Sequence, residues 1–244
     1  ATNRDEMVPG VIDKYDVEGQ RLLLESRMEF FEETANGGEP ASPLIELANG
    51  YMYGTAGTGG INEGGVIYRF RHDGSGFEVI HYFDEVSTGT GPYSGLTEYN
   101  GFLYGATLYG GDGGNRGTLF RIKADGTQFE KLHDFNGGNG AHPEGELIVM
   151  NNTLYGTTNE GGAFDAGIVF RINPDGSGFT LLHSFSGADG SRPSRGVVHD
   201  RNGNLYGMTT YGGTNGVGVI YKASTTGSGF EKLYDFSSQS GGTP

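Results

Sequence analysis

Leu154-Tyr155-Gly156-Thr157 is one of four copies of the motif that decides the fold of this 244-residue chain. Its Tyr-Gly pair also occurs at Tyr53-Gly54, Tyr104-Gly105 and Tyr206-Gly207, so that the copies are 51 residues apart. A constant period of this length is typical of repeat architectures in which each copy is one supersecondary unit. The repeat therefore indicates the architecture before any residue is considered for its chemistry.

Each period carries the signals of four short strands, which we name A to D. The copy around Tyr155 shows them clearly, because Gly161-Gly162 marks a polar loop and residues 167–172 form an apolar, alternating run typical of a strand. Asp175-Gly176 predicts a hairpin turn, and a second strand then ends at Phe185. These two strands are C and D; strand B holds the Tyr-Gly pair, and strand A precedes it. Four antiparallel strands per period predict an all-β fold, the blade of a β-propeller.

We predict a single β-propeller domain over residues 1–244, with five blade positions, four complete and one half built. The repeat units are 40–91, 92–142, 143–192 and 193–244. In the N-terminal segment 1–39, Gly10-Val11-Ile12 matches the strand C pattern of residues 65–70 at a constant offset of 55. This segment therefore predicts strands C and D of the partial blade. A helix over its Glu-rich part, from Arg21 onwards, is the alternative.

Composition narrows the classes of partner and compartment. Thirty acidic and 16 basic residues give a net charge of -14, which disfavours nucleic acid and anionic membrane surfaces. The chain has no cysteine, and it lacks the run of about 18 apolar residues that would predict membrane insertion. It begins with Ala1 instead of Met, as a mature exported protein does after signal removal. We therefore expect an extracellular or cell-surface location.

A combination of short motifs also points to a family. Leu-Tyr-Gly-Thr-Thr, a diglycine, Val-Phe-Arg-Ile, Asp-Gly-Ser-Gly-Phe and Leu-His-Ser-Phe are clearest over residues 154–185. This combination resembles the Gloeo/Verruco repeat family of secreted bacterial proteins over residues 40–244, with a partial match before them. The resemblance implies a propeller fold and export, and it implies no particular activity.

Polar loops provide the candidate binding site. In a four-stranded blade the B–C and D–A loops emerge on one face, and their residues vary between these copies while the frame does not, as on a scaffold that presents a site. Exposed rings beside polar groups can stack on sugars and bond to them. The candidate ligand-binding residues are Tyr109, Tyr211, Phe164, Asp112, Asn115, Arg116, Asp165, His142, Arg192 and Arg195. We predict a binding or adhesive module whose partner is a glycan or cell-surface polymer.

Other interpretations remain open at this point. The unpaired strand edge of a half-built blade is a template for self-association, so the chain could be a structural subunit of an extracellular fibre. A polysaccharide lyase or hydrolase is a third interpretation, although no catalytic residue can be named. No cofactor is predicted; calcium bound by Asp112 or Asp165 is possible, but the spacing of a helix-flanked calcium loop is missing.

Three repeated features predict structural roles. One repeat position holds a histidine in three copies and Tyr234 in the fourth; the histidines are His81, His133 and His183. Because a catalytic histidine is needed only once, this repetition indicates a role in the framework. A basic and an acidic residue nine positions apart across the C–D turn predict cross-strand ion pairs. These pairs are Arg69–Glu78, Arg121–Glu130 and Lys222–Glu231, while Thr180 replaces the acid opposite Arg171. The glycine of each Tyr-Gly pair predicts a close approach of blades near the axis.

Overall fold

The computed structural model describes residues 36–40 and 42–237, together with the backbone pairing of β1 (Lys14–Tyr15) and β2 (Arg21–Leu22). In this part of the chain every element of regular secondary structure is a β-strand. No helix there is long and apolar enough to cross a membrane. β1 and β2 pair antiparallel, as expected of strands C and D, and the alternative helix does not begin at Arg21. The remaining parts of both predictions for the N-terminal segment lie outside the described residues.

Four antiparallel sheets follow, and we number them blades 1 to 4 in chain order. Blade 1 contains β3 (Gly38–Pro40), β4 (Ile45–Glu46), β5 (Tyr51–Thr58), β6 (Val66–Arg71) and β7 (Glu78–Tyr82). Blade 2 contains β8 (Thr97–Tyr99), β9 (Phe102–Thr107), β10 (Thr118–Lys123) and β11 (Glu130–Asp134). Blade 3 contains β12 (Ile148–Met150), β13 (Thr153–Thr158), β14 (Ile168–Ile172) and β15 (Thr180–Ser184). Blade 4 contains β16 (Val197–His199), β17 (Asn204–Met208), β18 (Val219–Ser224) and β19 (Phe230–Asp235).

The strand order A–B–C–D across each sheet confirms the predicted blade. Blades 2 to 4 have one strand at each position, and every neighbouring pair is antiparallel. Blade 1 differs because its strand A is divided into β3 and β4, which pair with the two ends of β5.

The register of strands C and D confirms the predicted cross-strand ion pairs. The basic nitrogen and the acidic oxygen are 2.6 Å apart in blades 1 and 2 and 2.5 Å apart in blade 4. These pairs are Arg69–Glu78, Arg121–Glu130 and Lys222–Glu231. In blade 3, Thr180 lies opposite Arg171. Because the acidic partners are exposed, each pair contributes no more than about 1 kcal/mol to stability.

The glycine of the Tyr-Gly motif makes room for an aromatic ring of its own blade. Gly105 is paired with Phe120, and a β-carbon at position 105 would lie 2.6 Å from that ring. Gly156 has the same relation to Phe170, at 2.7 Å. The prediction that this glycine lets blades approach closely near the axis is therefore wrong, because the side chain nearest to the glycine belongs to its own blade. The ring that covers the glycine belongs to strand C of the same sheet.

Aromatic stacking joins each blade to the next. The rings of His81 in blade 1 and Phe129 in blade 2 are parallel, with centroids 4.0 Å apart. The later blades are joined by the same stack, through His133–Phe179 and His183–Phe230. Burial lowers the pKa of His81 to about 4, so the stacked ring is neutral at pH 7. These contacts confirm that the repeated histidines belong to the framework.

Hydrogen bonds from strands B and C also cross between blades. The Arg69 guanidinium and the Tyr53 hydroxyl both donate to the carbonyl of Ala124, each at 3.0 Å. The guanidinium bond recurs at the next two interfaces, as Arg121 to Pro174 and Arg171 to Thr225. Each acceptor lies in the C–D turn of the following blade. The repeated Tyr and Arg therefore have an architectural reason to recur.

Candidate functional site on the loop face

The B–C and D–A loops meet on one surface, as predicted, and we call this surface the loop face. Backbone bridges join the D–A loops that follow blades 1, 2 and 3 to the B–C loop of the next blade, at Thr90–Tyr109, Ala141–Glu160 and Ser191–Tyr211. The same D–A loops also bond to the preceding blade: the His142 N–H donates to the carbonyl of Arg116 at 2.8 Å, and the Arg192 N–H donates to that of Ala166 at 2.9 Å. Each D–A loop is therefore held between two B–C loops.

The diglycine produces the sharp turn of the B–C loop. Gly110 and Gly111 both have positive φ, 77° and 80°, which other residues rarely adopt in succession. The loop is then closed by a side chain, because the Asn115 Oδ1 accepts the Gly110 N–H at 2.6 Å. Asp165 closes the next loop in the same way, from the Gly161 N–H at 2.9 Å. Two predicted ligand contacts thus already bond within their own loops.

The acids considered for calcium have partners inside the protein. Asp112 is bonded to Lys131 at 2.9 Å, and Asp165 holds its loop as described above. Over residues 36–40 and 42–237, no three His, Asp or Glu side chains are grouped so that they could hold a metal ion. The Asp-Gly-Ser segments are turns, since the Asp73 carboxylate accepts from the N–H and the hydroxyl of Ser75. Calcium binding stays a prediction without a described site.

The residue directly before the repeated proline has a left-handed backbone at all four described copies; three of these residues belong to D–A loops, whereas the fourth, Glu39, lies in β3. This residue is Glu39 at φ 53°, Gly91 at 66°, His142 at 55° and Arg192 at 56°. A positive φ is uncommon for residues other than glycine, so the loop path is the same although the side chains differ. One structural position around the loop face therefore holds three different side-chain groups, a carboxylate, an imidazole and a guanidinium, and in one copy a glycine.

These residues form a continuous row together with Tyr93 and the side chains before the later three diglycines. The first half of the row lies over blades 1 and 2. The Tyr93 hydroxyl donates to Glu39 Oε2 at 2.8 Å. Burial and the Glu39 carboxylate raise the pKa of Tyr93 to about 12, so this hydroxyl keeps its proton. Gly91 lies between two rings, because a β-carbon there would be 3.0 Å from Tyr93 and 3.5 Å from Tyr109. The Tyr109 ring in turn meets His142 edge-on, with centroids 5.4 Å apart.

The second half of the row continues from His142 into blades 3 and 4. Its Nδ1 is 3.0 Å from Glu160 Oε2, and Glu160 Oε1 is 3.5 Å from the Arg192 guanidinium. That guanidinium stands 5.8 Å from the centre of the Tyr211 ring. We call the complete row, from Glu39 to Tyr211, the belt. It combines aromatic rings with charged and imidazole groups and passes over all four blades.

The rings of the belt are accessible. Tyr109 is 43% exposed and Tyr211 is 47% exposed, so neither ring is tucked under its own loop. Phe164 is 65% exposed, but it contacts no other aromatic ring and no cation among the described residues. Arg195 is exposed, and neither its side chain nor that of Arg116 forms an ion pair within this part of the chain. The loop face thus offers ring surface and free N–H donors.

The belt contains four of the ten candidate residues, the glycine Gly91 and three other side chains. Tyr109, Tyr211, His142 and Arg192 belong to it, whereas Phe164, Asp112, Asn115, Arg116, Asp165 and Arg195 lie elsewhere in the same loops or next to them. Sequence reasoning did not select Glu39, Tyr93 and Glu160. For two of them the signal was available: Glu39 precedes the repeated proline as His142 and Arg192 do, and Glu160 precedes the diglycine as Tyr109 and Tyr211 do. Tyr93 follows the proline, at a position where no residue was selected.

A cavity of about 640 Å³ lies between blades 1 and 2, away from the loop face, and is lined in part by Ile45 and Phe102. At the equivalent place between blades 2 and 3, the Tyr99 hydroxyl crosses the interface and donates to Asn152 Oδ1 at 3.0 Å. In blade 1 the position of Tyr99 is taken by Leu47, which lines the cavity and has no hydroxyl to make this bond. None of the predicted site residues lines this cavity.

The four-stranded sheets, their strand order and the ring-packed interfaces define this protein as a β-propeller with a continuous loop face. The model of the Gloeobacter/Verrucomicrobia repeat matches residues 6–148 and 40–244. The chain therefore belongs to the Gloeobacter/Verrucomicrobia repeat family, and the resemblance seen in its motifs is confirmed. No curated protein matches the chain in sequence.

Solved structures share the fold at low sequence identity. A chain in the crystal structure of a nidogen/laminin complex aligns with a TM-score of 0.53 and 14% identity over 81% of this chain and 65% of its own. A gluconolactonase from Xanthomonas campestris aligns with a TM-score of 0.52 and 17% identity over 88% of this chain and 64% of its own. This chain thus spans slightly less than two thirds of either one. Both similarities support the propeller fold alone.

Proposed function

We propose that this protein is an exported binding module that recognises glycans through the belt of the loop face. The observation that carries the proposal is the unbroken sequence of ring, imidazole, carboxylate, guanidinium and ring between Tyr109 and Tyr211. A sugar ring presents an apolar face that stacks on tyrosine, and its hydroxyls bond to carboxylate and guanidinium groups. The belt offers both kinds of contact side by side.

An oligosaccharide suits the belt better than a single sugar. Tyr109 belongs to blade 2, Glu160 to blade 3 and Tyr211 to blade 4, so the groups are distributed along the loop face instead of around one pocket. Each contact is weak by itself, and linked contacts on successive blades add through effective concentration. The backbone bonds between the loops hold these blades in one arrangement before any ligand arrives, which lowers the cost of ordering the site.

Screening the purified protein on a glycan array, followed by calorimetry on the bound glycans, tests the proposal. Tyr109→Ala and Tyr211→Ala are each expected to weaken binding about tenfold, because each removes one stacking ring worth about 1.4 kcal/mol. Phe164→Ala is the matched control, since it removes a more exposed ring of the same face that lies outside the belt. Its affinity is expected to equal that of the wild type.

Two outcomes would contradict the proposal. An array without any bound glycan would remove the ligand class. Loss of affinity in Phe164→Ala, with none in the two tyrosine variants, would place the contact at the loop tips instead of the belt. Export is tested separately, by fractionation of the source cells, and recovery of the protein from the cytoplasm alone would contradict it.

A further inference from the structure

The cavity between blades 1 and 2 has the size and the lining of a second ligand site. Its volume of about 640 Å³ lies within the range of about 300–1,000 Å³ that is usual for small-molecule pockets. The walls come from strand A and the A–B turn of both blades, and Ala124 of the C–D turn of blade 2 completes the lining. The cavity therefore opens on the side where the hairpin turns emerge, and it shares no residue with the belt.

Two apolar residues of blade 1 explain why the blades are not closed against each other at this place. Between blades 2 and 3, the Thr97 hydroxyl donates to the carbonyl of Leu147 at 2.5 Å, and the Tyr99 hydroxyl makes the second bond described above. Ile45 has the register position of Thr97, since each pairs with the tyrosine of its own Tyr-Gly motif. Leu47 has the position of Tyr99. Neither aliphatic side chain can donate a hydrogen bond, so both bonds are missing between blades 1 and 2.

The cavity has apolar walls that an apolar ligand group can cover. Ile45, Leu47 and Phe102 are all half-buried at its surface. The Phe102 ring is also contacted by Arg121 and Lys123, which lie 4.8 Å and 5.8 Å from its centroid and do not belong to the lining. These two cations hold the ring in place. An apolar body that lies against these walls releases the water that covers them.

The charge of the lining is negative. Among the described residues that line the cavity, the charged ones are Glu46 and Glu98, at the same position of strand A in blades 1 and 2. Glu46 already meets His72 at 2.9 Å, whereas Glu98 forms no ion pair within residues 36–40 and 42–237. The Glu98 Oε1 accepts the Gly101 N–H at 2.9 Å, which fixes the carboxylate at the A–B turn. An exposed carboxylate without a basic partner favours a cationic ligand group.

We propose that this cavity binds a small amphiphilic amine, in which an apolar ring or chain carries an ammonium group. The apolar body lies against Leu47 and Phe102, and the ammonium group meets the Glu98 carboxylate. An anionic amphiphile would face two carboxylates, and a neutral one would leave Glu98 without a partner. The proposal goes beyond glycan recognition and does not depend on it.

Three probes with the same phenyl ring and different charge test the proposal: phenethylamine, phenethyl alcohol and hydrocinnamate. Ligand-observed NMR and calorimetry at pH 7 measure their affinities for the full chain. Phenethylamine is expected to bind at least about tenfold more tightly than the alcohol, because a charge-assisted hydrogen bond is stronger than a neutral one. Glu98→Gln keeps the acceptor for the Gly101 N–H and removes the charge. It is expected to reduce the preference for the amine at least about threefold.

A second variant closes the cavity with the pair that closes the next interface. Leu47→Tyr combined with Gly101→Asn places the residues of the Tyr99–Asn152 bond between blades 1 and 2. Asparagine fits at position 101, because Gly101 has a φ of 79°, Asn152 has a φ of 59° at the same turn position, and a β-carbon on Gly101 meets no atom within 4 Å. Phenethylamine affinity is expected to fall at least about tenfold without a lower thermal midpoint, since the new ring fills the space of the ligand.

Tyr211→Ala, in the belt, is the control and should bind phenethylamine as the wild type does. A failure of glycan binding therefore leaves this test unaffected. Absence of saturable phenethylamine binding, or tighter binding of hydrocinnamate, would overturn the proposal. Unchanged phenethylamine affinity in a folded closing variant would overturn it as well, because the probe would then bind elsewhere. If the closing variant does not fold, the comparison of Glu98→Gln with the wild type decides alone.

Discussion

Acidification is expected to weaken the interfaces between blades at the histidine stacks. His81 lies on Phe129 with ring centroids 4.0 Å apart, and burial lowers its pKa to about 4, with Asp84 opposing the shift. The pKa of an unfolded histidine is about 6.5. Because the folded value is the lower one, the contribution to stability is complete above pH 6.5 and is lost as the pH falls towards 4. Burial lowers the pKa of His133 and His183 as well.

The magnitude follows from the two pKa values of His81. At pH 5 most unfolded molecules carry the proton at this position and most folded ones do not, so protonation lowers the free energy of unfolding by about 2 kcal/mol. Urea unfolding at pH 7.5 and pH 5.0, followed by tyrosine fluorescence, measures this loss. His81→Phe keeps an aromatic ring in the stack but cannot titrate. Its loss between the two pH values is expected to be about 2 kcal/mol smaller than that of the wild type.

The exposed histidine of blade 1 provides the control. His72 lies outside the stacks, and among the described residues its side chain bonds to the exposed Glu46 carboxylate alone, at 2.9 Å. His72→Gln is expected to show the pH dependence of the wild type. If the wild type and His81→Phe lost equal stability on acidification, the stacked histidine would not be the titrating group and the reasoning would be refuted.

Two further substitutions test the framework by thermal or urea unfolding. Gly105→Ala is expected to lower the free energy of unfolding by about 1–3 kcal/mol, because the new methyl group meets the buried Phe120 ring at 2.6 Å. Gly229→Ala is the control and should be neutral, since its nearest neighbour is 3.7 Å away. Equal stabilities of the two variants would contradict this account of the Tyr-Gly motif. Arg121→Met removes both the ion pair and the bond to the next blade, so we expect a loss of about 1.5–3 kcal/mol. Glu130→Gln, which affects the exposed pair alone, should cost less than about 1 kcal/mol, and the reverse order would show that the arginine does not join the blades.

Much of the fold was predictable because it depends on local chain properties. The turn at Asp175-Gly176 and the alternating run before it specify a hairpin without reference to the rest of the molecule. The spacing of Arg121 and Glu130 across such a turn specified the register in the same way. A repeat of these local features then predicted four equal sheets. The role of Gly105 was not predictable, because it depends on which ring of the partner strand lies above it.

The sequence by itself thus determined the blades, the order of their strands and the face on which the loops emerge. Only the tertiary structure decided which loop side chains meet. Tyr109, His142, Glu160, Arg192 and Tyr211 come from separate loops, and the backbone bonds between those loops bring them into one row. A local pattern specifies the shape of a loop, but the neighbour that a side chain touches across an interface depends on how two rigid sheets pack.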